Sequence, residues 1–215
     1  MKIFLASVAV VALLAFHASS ASAANVGTVS DVVGAATLTH DGASAALKDG
    51  AGVAEGDTVE TTDKSRAKIT FDDKTEIVVA GKGKLTVDAY VYDPKNPASN
   101  KASFGVLGLA FSYVGGLLDK GPKPDVTLKM DFGSIGIRGT KIYRAMNNNE
   151  CWIYVERGKI DVSNKGGAVH LKTGQGTIMS AQDKAPAAAH IWSPKDIAWL
   201  KEQVADPRLH KKDWK

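Results

Sequence analysis

The chain has 215 residues, 44% of them hydrophobic and 23% charged, with one cysteine and a formal net charge of +4. That balance excludes a disordered or fibrous chain, and a charge this mild, with acidic and basic residues interspersed, excludes a nucleic-acid partner. A mature length of about 190 residues lets a fold bury roughly 70% of its unfolded surface, so neither metal nor disulfide staples are needed and no cofactor is expected.

Lys2 precedes an uncharged apolar run from Ile3 to Phe16, and small residues follow, ending in Ala21-Ser22-Ala23. A charged start, an apolar stretch and an A-x-A site predict a signal peptide over residues 1–23, cleaved after Ala23. A run of about 14 residues falls short of the ~20 needed to cross a membrane, so no stable membrane span is expected. No cysteine near the cut could accept a lipid. The expected location is the periplasm or the exterior.

Residues 24–185 read as one β domain, because short β-branched or alternating runs end in Gly, Asp, Asn or Lys-Gly about every ten residues. The predicted strands of the first half are Val26–Val33, Ala36–Thr39, Thr58–Thr61, Ala67–Phe71, Thr75–Val79 and Lys84–Tyr92. Those of the second half are Val126–Met130, Lys141–Ala145, Cys151–Val155, Lys159–Val162, Val169–Leu171 and Gly176–Met179. Asp72-Asp73-Lys74 is a tight-turn candidate, and Asn147-Asn148-Asn149 is the clearest hairpin connection, since Asn tolerates positive φ. Asp93 to Asn100 holds two prolines and reads as an exposed loop. Ala102 to Leu118 is uncharged and glycine-broken, which predicts buried strand, with a partner-binding apolar patch as the alternative.

The halves echo one another weakly: Leu47-Lys48-Asp49-Gly50-Ala51-Gly52 resembles Leu171-Lys172-Thr173-Gly174-Gln175-Gly176. The expected class is all-β, a short β-solenoid or stacked double-sheet body of two similar halves, with an ordinary sandwich close behind. Residues 186–215 read as linker, short helix and basic tail. Ser193 caps a helix expected over Pro194 to Ala205, Trp192 and Ile197 form its staple, Ile197, Leu200 and Val204 form its stripe, and Pro207 stops it. The tail from Arg208 to Lys215 is expected to be solvated.

No catalytic or metal pattern stands out. His40, His170, His190 and His210 are scattered singly, and there is no nucleophile elbow, P-loop or dinucleotide fingerprint. Cys151 reads as a small core residue rather than a nucleophile, although folding could bring His170 to it. The chain is expected not to be an enzyme.

Gly56-Asp57-Thr58-Val59-Glu60-Thr61, Asp73-Lys74-Thr75-Glu76-Ile77, Ile137-Arg138-Gly139-Thr140, Glu156-Arg157-Gly158-Lys159-Ile160-Asp161-Val162 and Leu171-Lys172-Thr173-Gly174-Gln175 occur in that order. Together they resemble the periplasmic domain of the FecR family of Gram-negative bacteria, over about Gly27 to Met179. The resemblance implies an extracytoplasmic, non-catalytic β module that binds or organises a partner in signalling. The family's cytoplasmic sigma-binding segment and membrane helix have no counterpart here.

The motif residues Gly56, Asp57, Thr61, Arg138, Gly139, Thr140, Glu156 and Gly158 are expected to be structural. Arg138 in particular should be paired with a carboxylate such as Asp57 or Glu156, because an unpaired buried guanidinium is costly; ligand capture is the alternative role. Two partners stay open: an unknown envelope protein, or a cell-wall polymer. In the second case the protein is a glycan or peptidoglycan binder using exposed Trp152 or Tyr90 together with the basic tail.

Overall fold

The computed structural model describes residues 24–121, 124–206 and 208. The expected signal peptide, the helix stop at Pro207 and most of the basic tail lie outside these residues.

The first half forms β1 (Asn25–Val33), β2 (Ala36–His40), β3 (Ala43–Ala46), β4 (Gly52–Ala54), β5 (Thr58–Thr61), β6 (Arg66–Phe71), β7 (Glu76–Ala80) and β8 (Lys84–Val91). A single 3-10 turn, Pro97–Ser99, interrupts the proline-containing loop. Then come β9 (Lys101–Leu107), β10 (Ala110–Val114) and β11 (Val126–Met130), followed by β12 (Gly133–Asn147) and β13 (Glu150–Asn164). The chain closes with β14 (Gly167–Lys172), β15 (Gln175–Met179), β16 (His190–Ile191) and one helix, α1 (Pro194–Glu202). The uncharged stretch after Lys101 is therefore two strands turning at Gly108 and Leu109, with Phe104, Val106, Phe111 and Tyr113 buried.

All sixteen strands belong to one sheet, in which β9 and β11 are the parallel pair. Among the described residues the fold is all-β with a single α-helix, α1, and its body is one open sheet curled on itself. The curl follows from connectivity. β2 lies second from one end of the strand order and β1 second from the other, yet only Gly34 and Ala35 join them. Both ends must therefore meet, and the alternating apolar residues they carry close around a common core.

β12 and β13 form a hairpin of 15-residue strands joined by Asn148 and Asn149, both at positive φ, the pattern of a tight hairpin turn. The sequence suggests three shorter strands here, Lys141–Ala145, Cys151–Val155 and Lys159–Val162, because the hydrophobic alternation slips midway. In β12 the core-facing residues are Ile135 and Ile137, then Thr140, Ile142 and Arg144. In β13 they are Cys151, Ile153 and Val155, then Ile160 and Val162. The register shifts between Arg138 and Ile142. One inserted residue per strand exchanges odd for even positions, so the same face stays inward through the bend.

Helix α1 starts at Ser193, whose Oγ accepts the Asp196 amide at 3.2 Å, with Pro194 in its first turn. Leu200 and Val204 are buried and Ile197 is half-buried in a second apolar cluster with Tyr143, Tyr154, Trp192 and Ala145. The helix thus covers the outer face of the β12–β13 hairpin on one side of the bend. The end of this region is tied back to the first strands by Arg208, which reaches Asp31 on β1 (2.8 Å) and Asp206 (2.6 Å), and by Arg66 on β6, which reaches Asp31 (2.7 Å) and Asp206 (3.9 Å).

Glu156 fastens the helix by charge, lying 2.7 Å from Lys141 on β12 and bonded to Lys201 on α1. Partial burial pushes its carboxyl up, but the two lysine hydrogen bonds outweigh this and hold it below its ordinary value of 4.5. A lowered carboxylate stabilises the fold above its unfolded value and loses that contribution as pH falls through its folded one. Glu156→Gln is expected to cost about 1 kcal/mol at neutral pH. In tryptophan fluorescence it should also reduce the acid-induced release of α1 below about pH 4.5; an unchanged acid transition would remove Glu156 from that role.

Candidate functional site

The motif residues close turns and bends. Asp57 is buried, with Oδ2 accepting the Ala54 amide at 2.8 Å and Oδ1 paired with Nδ1 of His40. That hydrogen bond raises the His40 pKa. The Gly56 amide bonds to the Val87 carbonyl at 2.8 Å. Thr61 Oγ1 accepts the Gly83 amide at 2.9 Å, fastening β5 to the turn before β8.

Gly139, Thr140 and Gly158 build the hairpin bend. Gly139 and Gly158 have φ of +63° and +93°, and a Cβ on Gly158 would stand 2.3 Å from the Gly139 carbonyl oxygen, so the two backbones touch where the strands bend. Thr140 Oγ1 accepts the Arg138 amide at 3.1 Å and donates to the Lys159 carbonyl at 3.3 Å. The Thr140 amide donates to Oδ2 of buried Asp119 at 2.9 Å. Burial raises the Asp119 carboxyl, more than the Thr140 amide lowers it.

Arg138 does not fill the role expected of it. It is exposed, Asp57 is bound to His40, and Glu156 is bound to two lysines. The physical reason is the parity switch: before the bend the even positions of β12 face outward. The buried arginine is Arg144, on the inward parity beyond the bend, fully enclosed, with Nε 3.1 Å from Cys151 Sγ, a bond to the Gly108 carbonyl, and Asp131 at 3.8 Å. The sequence marks Arg138 by its glycine neighbours and says nothing of Arg144, whose apolar surroundings form only after the strands pair.

The two aromatics expected to be exposed are also corrected. Tyr90 is buried, and its hydroxyl donates to Asp73 Oδ1 at 2.9 Å. Trp152 is half-buried, its ring 4.7 Å from Trp192 and 5.6 Å from Trp199 between centroids, so it seats the helix. Cys151 is wholly buried, and burial pushes its thiol up. It pairs with Met179 on one side of the bend, whereas His170 sits on the other side opposite Asp161, so the two do not meet. Among the described residues no group of three His, Cys, Asp or Glu could hold a metal.

What remains available is the outer face of β12, β13 and β14 on the side of the bend away from α1. Register places Arg138 opposite Lys159, and Lys159 opposite Lys172, so three exposed cations form one row across three strands. In the neighbouring row Gly136 faces Asp161 and Asp161 faces His170, the latter two bonded to each other. Arg138, Lys159, Lys172, Asp161 and His170 line, with Gln175, a shallow groove of about 530 Å3. Like charges directly opposite on adjacent strands are destabilising, and among the described residues none of the three cations has a carboxylate within 4.0 Å.

No family model matches the chain, and no curated protein matches it. Among solved structures, two crystal structures, each of a candidate anti-sigma factor from Parabacteroides distasonis ATCC 8503, are similar to it. The first has a TM-score of 0.52 at 10% identity and the second 0.53 at 11%, each over 67% of this chain and 64% of that one. The chain therefore matches less than two-thirds of those proteins' length. At such identities the likeness is one of fold, and the curled all-β body of this chain is a fold it shares with those candidate anti-sigma factors.

Proposed function

We propose that this chain is a non-catalytic, extracytoplasmic module of the FecR type that binds a protein of the cell envelope in a signalling role, using the outer face of β12, β13 and β14. The observation that carries this is the row Arg138, Lys159 and Lys172, a set of unneutralised charges that a partner surface would compensate. A regulatory role is supported by the fold shared with candidate anti-sigma factors. An extracytoplasmic location is supported by the signal-peptide pattern of residues 1–23. The glycan-binding alternative loses its aromatic basis, since Tyr90 is buried and Trp152 lies under the helix.

The test is a photo-crosslinking residue in place of Ala168, which is exposed on the outer face of β14, with one in place of Glu202 on α1 as control. Illumination in native cells should give protein adducts from position 168 and not from position 202. Adducts with wall polymer alone, or no adducts, would overturn the proposal.

A further inference from the structure

Resting on that reading, we propose that the partner presents an extended acidic segment that adds as a strand to the free edge of β14, its carboxylates facing Lys172 and Lys159 in the field of the row that Arg138 completes. Among the described residues β14 pairs with β13 and with no other strand, which leaves backbone donors and acceptors along its far edge from Ala168 to Lys172, beyond Gly167, which lies against Ala185. The Lys172 amide donates to the Gln175 side chain at 3.1 Å, an acceptor that an incoming backbone carbonyl can replace.

A lysine on an edge strand commonly serves to repel unwanted pairing. That accounts for Lys172 alone. Lys159 and Arg138 stand one and two strands inboard, where edge protection has no use for them, and the register lines both up with Lys172. Strands lie about 4.8 Å apart, so an added strand's glutamates would stand about 5 Å from the Lys172 strand and about 10 Å from the Lys159 strand, within side-chain reach of both, while Arg138, about 14 Å away, adds its charge to the same field. A neutral segment would gain only the ladder of backbone bonds, whereas an acidic one would also relieve the repulsion within the row. The groove beside the row gives those side chains room.

The experiment titrates the full chain into short fluorescent peptides in which glutamate alternates with valine or threonine, and into counterparts carrying glutamine for glutamate. The acidic peptide should bind at low salt and weaken as salt rises, with the glutamine peptide about tenfold weaker. The variant Arg138→Gln/Lys159→Gln/Lys172→Gln should melt with the parent, because all three side chains are exposed, and should lose about tenfold in affinity for the acidic peptide. Amide exchange should slow over residues 168–172 when that peptide is bound. Equal binding of both peptides, or an unchanged affinity in the triple variant, would overturn the proposal. So would binding of polyphosphate as tight as that of the acidic peptide, with the β14 amides still exchanging. Protein adducts at position 168 together with a failure of the peptide arms would leave the binding role standing and remove strand addition alone.

Discussion

Replacing Gly158 by valine is expected to destabilise the protein by about 3 kcal/mol, roughly a 10 °C fall in melting temperature for a domain of this size. A Cβ at that position would meet the Gly139 carbonyl oxygen at 2.3 Å and the Thr140 Cα at 2.8 Å, and both obstacles are backbone. The φ of +93° adds a strain that a β-branched residue tolerates badly. Relief requires the hairpin to straighten, which would pull Thr140 from Asp119 and disturb the parity that points Ile160 and Ile142 inward. Gly139 is the internal control. Its φ is also positive, but a Cβ there meets nothing within 4 Å, so Gly139→Asn should cost no more than about 1 kcal/mol. Calorimetric melts of both variants check the contrast, and equal losses would show that close backbone contact is not what the bend requires.

Asp73→Ala is expected to be more damaging still, at about 4 kcal/mol in urea denaturation. This carboxylate is completely buried. Its Oδ1 accepts the Thr75 amide at 3.1 Å and the Tyr90 hydroxyl at 2.9 Å, and its Oδ2 accepts the Thr75 hydroxyl at 2.7 Å and the Leu118 amide at 3.0 Å. Four donors from the β6–β7 turn, from β8 and from the segment after β10 converge on two oxygens, and alanine would leave all of them without a partner. Tyr90→Phe removes the hydroxyl that donates to the carboxylate and accepts the Asp73 amide at 3.0 Å but leaves the carboxylate and its other three donors, so it should cost about 2 kcal/mol. A loss for Asp73→Ala no larger than that would mean that water replaces the carboxylate.

These positions also show how far the sequence could be read. The strands of the first half are legible because alternation survives in them: Thr58–Thr61 has the limits expected, and Ala67–Phe71 lacks only Arg66. β3 is missed because Ala43-Ser44-Ala45-Ala46 has no apolar alternation and all four residues are exposed. The hairpin turn at Asn147-Asn148-Asn149 is legible, but the length of its two strands is missed for the opposite reason, since the alternation is strong on each side of Gly139 and Gly158 but changes parity between them. The same parity change hid the arrangement of the cations. Lys159 and Lys172 are ordinary surface lysines in sequence, and only strand register sets them beside Arg138. Burial of Tyr90 and Trp152 depended on partners distant in sequence, Asp73 for one and α1 for the other, so exposure could not be judged from neighbours.

The joint at Gly34 and Ala35 has a kinetic meaning. The β12–β13 hairpin is local and can form early, whereas closure of the curl needs β1 to find β6 and β2 to find β5 across long intervening chain. Loop-closure entropy is met before those pairings repay it. The seam is therefore expected to shut last on folding and open first on unfolding, with slower exchange along the hairpin than along the first two strands. Until that closure, the chain would display strand edges that the finished fold conceals, and the interval just after synthesis is when it would be most exposed to aggregation and proteolysis.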